Sequence, residues 1–93
     1  IACSLSAAGY RERLAEMGAV ARTALTDRVA IPGGELLTFT ADDAVDARLR
    51  SIVAAEAQCC AFLRFDVVRG ADVILLGVTG PDGAQAIIRE LFA

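Results

Sequence analysis

The sequence predicts an α+β fold in the order α-β-α-β-β-α, with a three-stranded antiparallel sheet and helices packed on it as a two-layer sandwich. Three segments carry apolar residues at three- and four-residue spacing, as amphipathic helices do. Three shorter runs rich in Val, Ile, Leu and Phe are typical of strands, and glycine and proline turns separate them. Because 93 residues allow one modest core, we expect a single domain over residues 1–93.

The first predicted helix begins after Ser6, whose hydroxyl is suited to an N-cap. Its apolar positions recur at helical spacing and comprise Tyr10, Leu14, Met17, Ala21 and Leu25. The charged residues of the same segment are expected to face water, and they are Arg11, Glu12, Arg13 and Glu16. An Ile-Pro-Gly-Gly turn at residues 31–34 precedes a predicted strand over Glu35 to Phe39.

The second predicted helix spans Ala44 to Leu63. The preceding Thr40-Ala41-Asp42-Asp43 matches the threonine-then-acid pattern of helix starts and sets the phase of the helix. At about 100° per residue, an apolar stripe forms along one side of this helix, and Glu56 lies at its centre. The stripe consists of Val45, Leu49, Ile52 and Leu63.

The rest of the chain predicts a hairpin followed by a third helix. Arg64–Arg69 and Asp72–Thr79 are the two strands, and the second is nearly all apolar, which favours a central position in the sheet. A right-handed crossover from the first strand would place this central strand beside it. After the break at residues 80–83, the last helix presents a stripe made of Ala84, Ile87, Ile88 and Leu91.

Composition excludes several classes of function. The formal charge is -3, and the nine basic residues, all arginine, are scattered among acids, so we expect no nucleic-acid partner. Although 56% of the residues are hydrophobic, no apolar run approaches the roughly 18 residues that span a bilayer, so we expect no membrane partner. The chain has no histidine, which excludes serine-histidine and cysteine-histidine catalysis within one chain.

Three cysteines in an acidic chain without a signal-peptide pattern favour the reducing cytoplasm, where thiols act as ligands or nucleophiles. Because the chain begins at Ile1 and not at methionine, we expect either that a few residues are missing or that the chain belongs to a larger parent protein. A homodimer stays open as a further expectation.

The chemical signal of the sequence is the cluster formed by Glu56, Cys59 and Cys60. A glutamate within an apolar stripe needs a partner, because burying an unpaired carboxylate is costly. Adjacent cysteines on a helix point about 100° apart, too divergent for an easy disulfide, but they can share a soft ion with a third ligand. We therefore predict a metal site formed by Cys3, Glu56, Cys59 and Cys60, with Zn(II), Cu(I), Hg(II) or As(III) as candidate ions.

Two structural alternatives stay open at this point. Buried cysteines often serve as small apolar core residues without any chemistry. An arginine such as Arg64, or backbone amides of the N-terminal segment, would satisfy Glu56 without a ligand.

Three segments together resemble a group of small bacterial proteins of uncharacterised function. They are Ile1-Ala2-Cys3-Ser4-Leu5, the run Glu56-Ala57-Gln58-Cys59-Cys60-Ala61-Phe62-Leu63-Arg64-Phe65, and Val78-Thr79-Gly80-Pro81-Asp82-Gly83-Ala84. Members carry a similar E-x-x-C-C-x-F-[LF] signature, and some are associated with heavy-metal or mercury-resistance systems. Many have proline where this chain has Ala61. The resemblance implies a metal- or metalloid-linked role, carried by Cys3, Glu56, Cys59 and Cys60.

Three functions follow as hypotheses. The first is a small cytoplasmic protein that binds a thiophilic metal or metalloid ion through its cysteines, assisted by Glu56. The second is a thiol-dependent enzyme that performs redox, thiol-exchange or metal–carbon chemistry, with Glu56 moving the proton. The third is a structural or interaction module whose buried cysteines are inert.

Overall fold

The computed structural model describes residues 7–93 and has an α+β fold in the order α-β-β-α-β-β-α. The helices are α1 (Ala7–Ala24), α2 (Asp43–Cys59) and α3 (Gln85–Glu90). The strands are β1 (Leu25–Ile31), β2 (Gly34–Thr40), β3 (Arg64–Arg69) and β4 (Val73–Thr79). The predicted cap Ser6 lies outside the described residues.

The sheet has four strands in the order β1-β2-β4-β3, and every neighbouring pair is antiparallel. The prediction of a three-stranded sheet is therefore wrong, because it omitted β1. The predicted hairpin is confirmed as β3 and β4, and β4 occupies the predicted central position between β2 and β3.

Strand β1 was missed because Leu25 continues the apolar spacing of the helix before it. In the structure α1 ends at Ala24, and Leu25 opens a strand that pairs with Phe39. The β-branched residues that follow favour extended backbone. Pro32 and Gly33 turn the chain back, with Gly33 at φ 79°, so that Ile31 pairs with Gly34.

Helix α2 differs from its predicted bounds at both ends. Its N-cap is Asp42, not Thr40, and the Asp42 side chain accepts hydrogen bonds from the backbone N–H groups of Ala44 and Val45. The helix ends at Cys59, because Cys60 leaves the helical region with φ -123° and ψ 71°. Leu63 thus lies beyond the helix, although it is buried as the stripe predicted.

The core is formed by α1, α2, the α3 segment and one face of the sheet. Its buried members include Met17, Val20 and Ala24 of α1, Leu49 and Ile52 of α2, Leu37 and Phe39 of β2, and Ile74, Leu76 and Val78 of β4. Ala84, Ile88, Leu91 and Phe92 complete it at the C-terminal end.

Arg28 of β1 fastens the C-terminal end of α3. Its guanidinium donates to the carbonyl oxygens of Leu91 at 2.6 Å and Phe92 at 3.2 Å, and to the carboxylate of Glu35 at 2.8 Å. Phe92 adopts a positive φ of 59°, and its ring meets that of Phe39 edge-to-face at 5.5 Å. These contacts fix the segment that carries Glu90 beside α1.

Among residues 7–93, no helix is long and apolar enough to cross a membrane.

Candidate functional site

Glu56 lies inside the protein, as the phase of the helix predicted. Its exposed fraction is 0%, and it shares the buried face of α2 with Leu49 and Ile52. An ionised carboxylate at this depth needs compensating contacts. Both of its oxygens have them: Oε2 accepts a hydrogen bond from Arg13, and Oε1 accepts one from Cys60.

Arg13 of α1 supplies the charge that balances Glu56. Arg13 Nη1 lies 2.9 Å from Glu56 Oε2, and the Arg13 side chain is only 18% exposed. The prediction that Arg13 faces water is therefore wrong. The suggested partner Arg64 instead pairs with Asp66 at 3.1 Å on the exposed side of β3.

The spacing of α1 contains the signal that would have identified Arg13. Counting four, seven and eleven residues onward from Arg13 gives Met17, Val20 and Ala24, which are all buried. These positions form one row along a helix. A long guanidinium side chain at the end of a buried row can keep its stem among apolar groups while its head meets a partner on the next helix.

Cys60 is the thiol that the fold places against this ion pair. It caps the C-terminus of α2, its side chain is fully buried, and its Sγ donates a hydrogen bond to Glu56 Oε1 at 3.2 Å. The Cys60 backbone N–H also donates to the Glu56 carbonyl at 2.7 Å. Cys60 follows Glu56 by four residues, about one helical turn, and these two contacts hold its thiol against the carboxylate.

The other two cysteines of the predicted site are Cys59 and Cys3. Cys59 is the last residue of α2 and is half-buried, so it is closer to solvent than its neighbour. Cys3 lies outside the described residues. Within residues 7–93, no group of three or more His, Cys, Asp or Glu side chains is placed to hold a metal ion. The described part of the predicted site therefore brings together Glu56 and Cys60, with Arg13 as an unforeseen third member.

Tyr10 lies at the solvent side of the same site and links it to the C-terminal segment. Its Oη donates to Glu90 Oε2 at 3.1 Å. Burial raises the pKa of Tyr10 to about 12, with further contributions from the hydrogen bond and negative charge of Glu90 and from the charges of Glu56 and Cys60. Sequence reasoning placed Tyr10 in the core stripe and did not anticipate these polar neighbours.

The raised pKa of Tyr10 predicts a loss of stability in alkaline solution. The folded state favours the neutral phenol, so its contribution is complete below the ordinary tyrosine pKa of about 10 and is lost as the pH rises through about 12. Tyr10 is the sole tyrosine of a chain without tryptophan, so tyrosinate absorbance reports it alone. We expect a midpoint near 12 in the folded protein, against about 10 in denaturant.

Circular dichroism recorded in the same titration would show whether the fold is intact at each pH. Glu90→Gln keeps a hydrogen-bond acceptor and removes the charge, so it should lower the midpoint. A wild-type midpoint near the ordinary value of about 10, with the fold intact, would contradict the described environment of Tyr10.

The arrangement of Cys60, Glu56 and Arg13 suits chemistry at sulfur. A thiolate is the reactive form of cysteine both as a metal ligand and as a nucleophile. Glu56 is placed to accept the Cys60 proton, and Arg13 fixes the orientation of Glu56 through its other oxygen. A reactive group, a proton acceptor and an orienting third group form the usual pattern of an activated nucleophile.

Buried polar groups in this region are satisfied. Among the described residues, every buried side-chain nitrogen and oxygen has a hydrogen-bond partner. An arginine does pair with Glu56, as one of the alternatives proposed, but it is Arg13 and not Arg64.

Comparisons with protein-family models, with curated proteins and with solved structures each found no match to this chain.

Proposed function

We propose that this chain binds a thiophilic metal or metalloid ion in the cytoplasm, through Cys60 with Cys59 and Cys3 as further sulfur ligands and Glu56 assisting. The observation that carries the proposal is the buried hydrogen bond from Cys60 Sγ to Glu56 Oε1 at 3.2 Å. Holding a glutamate inside the core beside a thiol costs folding free energy, because a buried ion loses its hydration. Apolar residues at these positions would make a simpler core.

Glu56 serves in this proposal as the acceptor of the thiol proton. When the ion binds, the S–H bond of Cys60 breaks, the sulfur donates its electron pair to the ion, and the proton moves to Glu56. Arg13 stays paired with the other oxygen of Glu56, Oε2, and so keeps the carboxylate oriented while Oε1 takes up the proton.

The remaining sulfur ligands of this proposal are Cys59 and Cys3. Cys59 is adjacent in sequence and half-buried, so it is nearer to solvent than Cys60. Helix α1 begins at Ala7, within one turn of Tyr10, and the charge of Cys60 contributes to the raised pKa of Tyr10. Cys3 precedes Ala7 by four residues, a stretch that can span at most about 14 Å. Soft thiolates favour Zn(II), Cu(I), Hg(II) and As(III) over hard cations.

The test is a titration of the reduced protein with each of these four ions in a thiol-free reductant. We expect one ion per chain, bound at least about tenfold more tightly than by a simple dithiol such as dithiothreitol. Cys60→Ser keeps a hydroxyl that can donate to Glu56 while removing the soft ligand, so it should abolish this excess affinity. Cys59→Ser and Cys3→Ser should each weaken binding.

A carboxylate control separates proton transfer from general electrostatics. Glu56→Gln should slow ion uptake about tenfold or more, because the thiol then has to lose its proton directly to solvent. Glu16→Gln removes one charge from the exposed face of α1 and should leave uptake unchanged. If no ion binds more tightly than the dithiol, or if Cys60→Ser binds like the wild type, the proposal fails.

A thiol-dependent enzyme is the second candidate, and the orientation of Glu56 by Arg13 favours it. Glu56 held between Arg13 and Cys60 matches the arrangement of nucleophile, base and orienting group. In that case Cys60, in a protein that carries Cys3→Ser and Cys59→Ser, should react with a small disulfide faster in the folded than in the unfolded protein, and Glu56→Gln should remove the acceleration. Equal reaction rates in the folded and unfolded protein would exclude it. If the thiols are inert core residues, the protein should show neither the tight ion binding nor the accelerated reaction with a disulfide.

A further inference from the structure

The sheet has one face packed on helices and a second face that no described helix covers. Side chains alternate between the two faces along a strand, and the core side of the sheet carries the buried residues of β2 and β4. The shortest dimension of the molecule, 19 Å, fits one sheet with one layer of helices. We call the second face the outer face, and its apolar residues are Val29, Leu36, Val68, Val73 and Leu75.

The exposed apolar surface of the protein is concentrated on this outer face. Among the described residues, the most exposed large apolar side chains are Val29, Val68 and Val73, at 44%, 60% and 37%. The strand register places all three on the outer face, although they belong to three different strands. Single exposed valines are ordinary on a protein surface, whereas a contiguous apolar patch marks an interaction surface.

The centre of the outer face alternates large and small side chains. Leu36 of β2 pairs with Gly77 of β4, and the adjacent Thr38 pairs with Leu75, so the two leucines occupy one diagonal of a square. A two-fold axis lying between two stacked sheets, either along or across the strands, exchanges the two diagonals. Each leucine of one copy then meets a small residue of the other. Gly77 leaves space for this, because a Cβ there would come no nearer than 4.0 Å to Asp66.

The charges of the sheet also favour contact through this face. Arg64 and Asp66 lie on it but pair with each other at 3.1 Å, and Asp27 lies on the edge strand, away from the centre. Two copies therefore bring no unpaired like charges together at the centre. The edge of β1 is less suited to pairing, because the strand bulges between Leu25 and Asp27 and the Arg28 N–H donates to Asp27 Oδ1 at 2.8 Å.

The size of the outer face limits the strength of the contact. Four strands about 4.8 Å apart, with about 3.3 Å per residue, give a face of about 19 by 23 Å in projection. Protruding side chains add accessible area to this projection, which brings it close to the lower limit of specific interfaces, about 600 Å² per partner. We therefore expect a reversible complex with a Kd of about 10–100 µM.

We propose that the outer face is the interface of a homodimer, in which two sheets stack face to face and Leu36 and Leu75 of each copy lie against the small residues of the other. Stacked sheets lie about 10 Å apart, with strand directions within about 30° of each other. Alternating large and small residues let two such layers interdigitate. Glu56 lies on the buried face of α2, on the helical side of the sheet, so this inference does not depend on the proposed function.

The test is sedimentation of the reduced full chain from about 1 µM to about 500 µM, with circular dichroism to confirm that each variant is folded. The mass should rise from that of one chain to that of two and then stay constant. Leu75→Lys places a charge at the centre of the outer face and should keep the protein monomeric throughout. Ala47→Lys adds the same charge on the exposed side of α2 and should dimerise like the wild type.

Gly77→Leu separates specific stacking from unspecific apolar adhesion. It enlarges the apolar patch but fills the space that receives a leucine, so it should weaken dimerisation about tenfold or more, whereas unspecific adhesion would become stronger. A wild type that stays monomeric to about 500 µM, or a folded Leu75→Lys variant that dimerises normally, would overturn the proposal. So would a monomer in which Val29 and Val68 are protected from a soluble paramagnetic probe, because another segment would then cover the face.

Discussion

Replacing Arg13 with methionine is expected to lower the free energy of unfolding by about 3 kcal/mol. Methionine keeps the apolar stem packed beside α2 but removes the guanidinium, which leaves the fully buried Glu56 without its counter-charge. Breaking a buried pair from one side typically costs about 3–5 kcal/mol, and the 18% exposure of Arg13 places the expected value at the lower end. Urea denaturation of both proteins measures it.

The interpretation depends on a double-mutant cycle. Arg13→Met combined with Glu56→Leu removes both charges, so it should recover most of the lost stability. A double variant that is less stable than Arg13→Met alone would contradict the pair as the cause of the loss. Arg64→Met, which breaks an exposed pair with Asp66, should change stability by less than about 1 kcal/mol. Equal losses in Arg13→Met and Arg64→Met would show that Glu56 does not rely on Arg13.

The burial of Glu56 was predictable from sequence because it depends only on local geometry. A helix repeats about every 3.6 residues, so Leu49 and Ile52 determine which side faces inward, and Glu56 falls on that side. The same geometry predicted its proximity to Cys60, one turn further on, and the Sγ–Oε1 hydrogen bond agrees with it.

The partner of Glu56 was not predictable in the same way, because it depends on how α1 packs on α2. Arg13 and Glu56 are 43 positions apart, and no local pattern relates the rotation of one helix to that of the other. The charged run around Arg13 is typical of a solvated face. Only the alignment of Arg13 with the buried Met17 and Val20 distinguishes it from its exposed neighbours in this run.

Strand β1 was missed because a helical spacing competed with β-branched composition. Leu25 extends the helical spacing of Met17 and Ala21, whereas the β-branched Val29 and Ile31 favour extended backbone. The decisive contribution is the pairing of β1 with β2 across the Pro32–Gly33 turn, and this pairing is a tertiary interaction. Missing β1 also hid Arg28, and with it the reason why Glu90 has a fixed position.

Replacing Arg28 with methionine is expected to lower the free energy of unfolding by about 2–4 kcal/mol. The substitution removes donors from the carbonyl groups of Leu91 and Phe92 and leaves Glu35 without its ion pair. Hydrogen bonds to charged groups each contribute about 1.5–3 kcal/mol, and the 25% exposure of the Arg28 side chain reduces the sum. Chemical denaturation measures the total, and amide exchange should show reduced protection at Ile88 and Leu91.

Arg28→Lys is the informative companion, because a single ammonium cannot reproduce a fork that reaches Glu35 and two carbonyl groups together. We expect it to retain about half of the stability that methionine loses, while Arg48→Met on the exposed face of α2 should change little. Loosening of α3 also frees Glu90, so Arg28→Met should lower the pKa of Tyr10 from about 12, whereas a purely local loss would leave it there. An unchanged Tyr10 titration in a folded Arg28→Met variant would thus show that the contacts of Arg28 do not influence the surroundings of Tyr10.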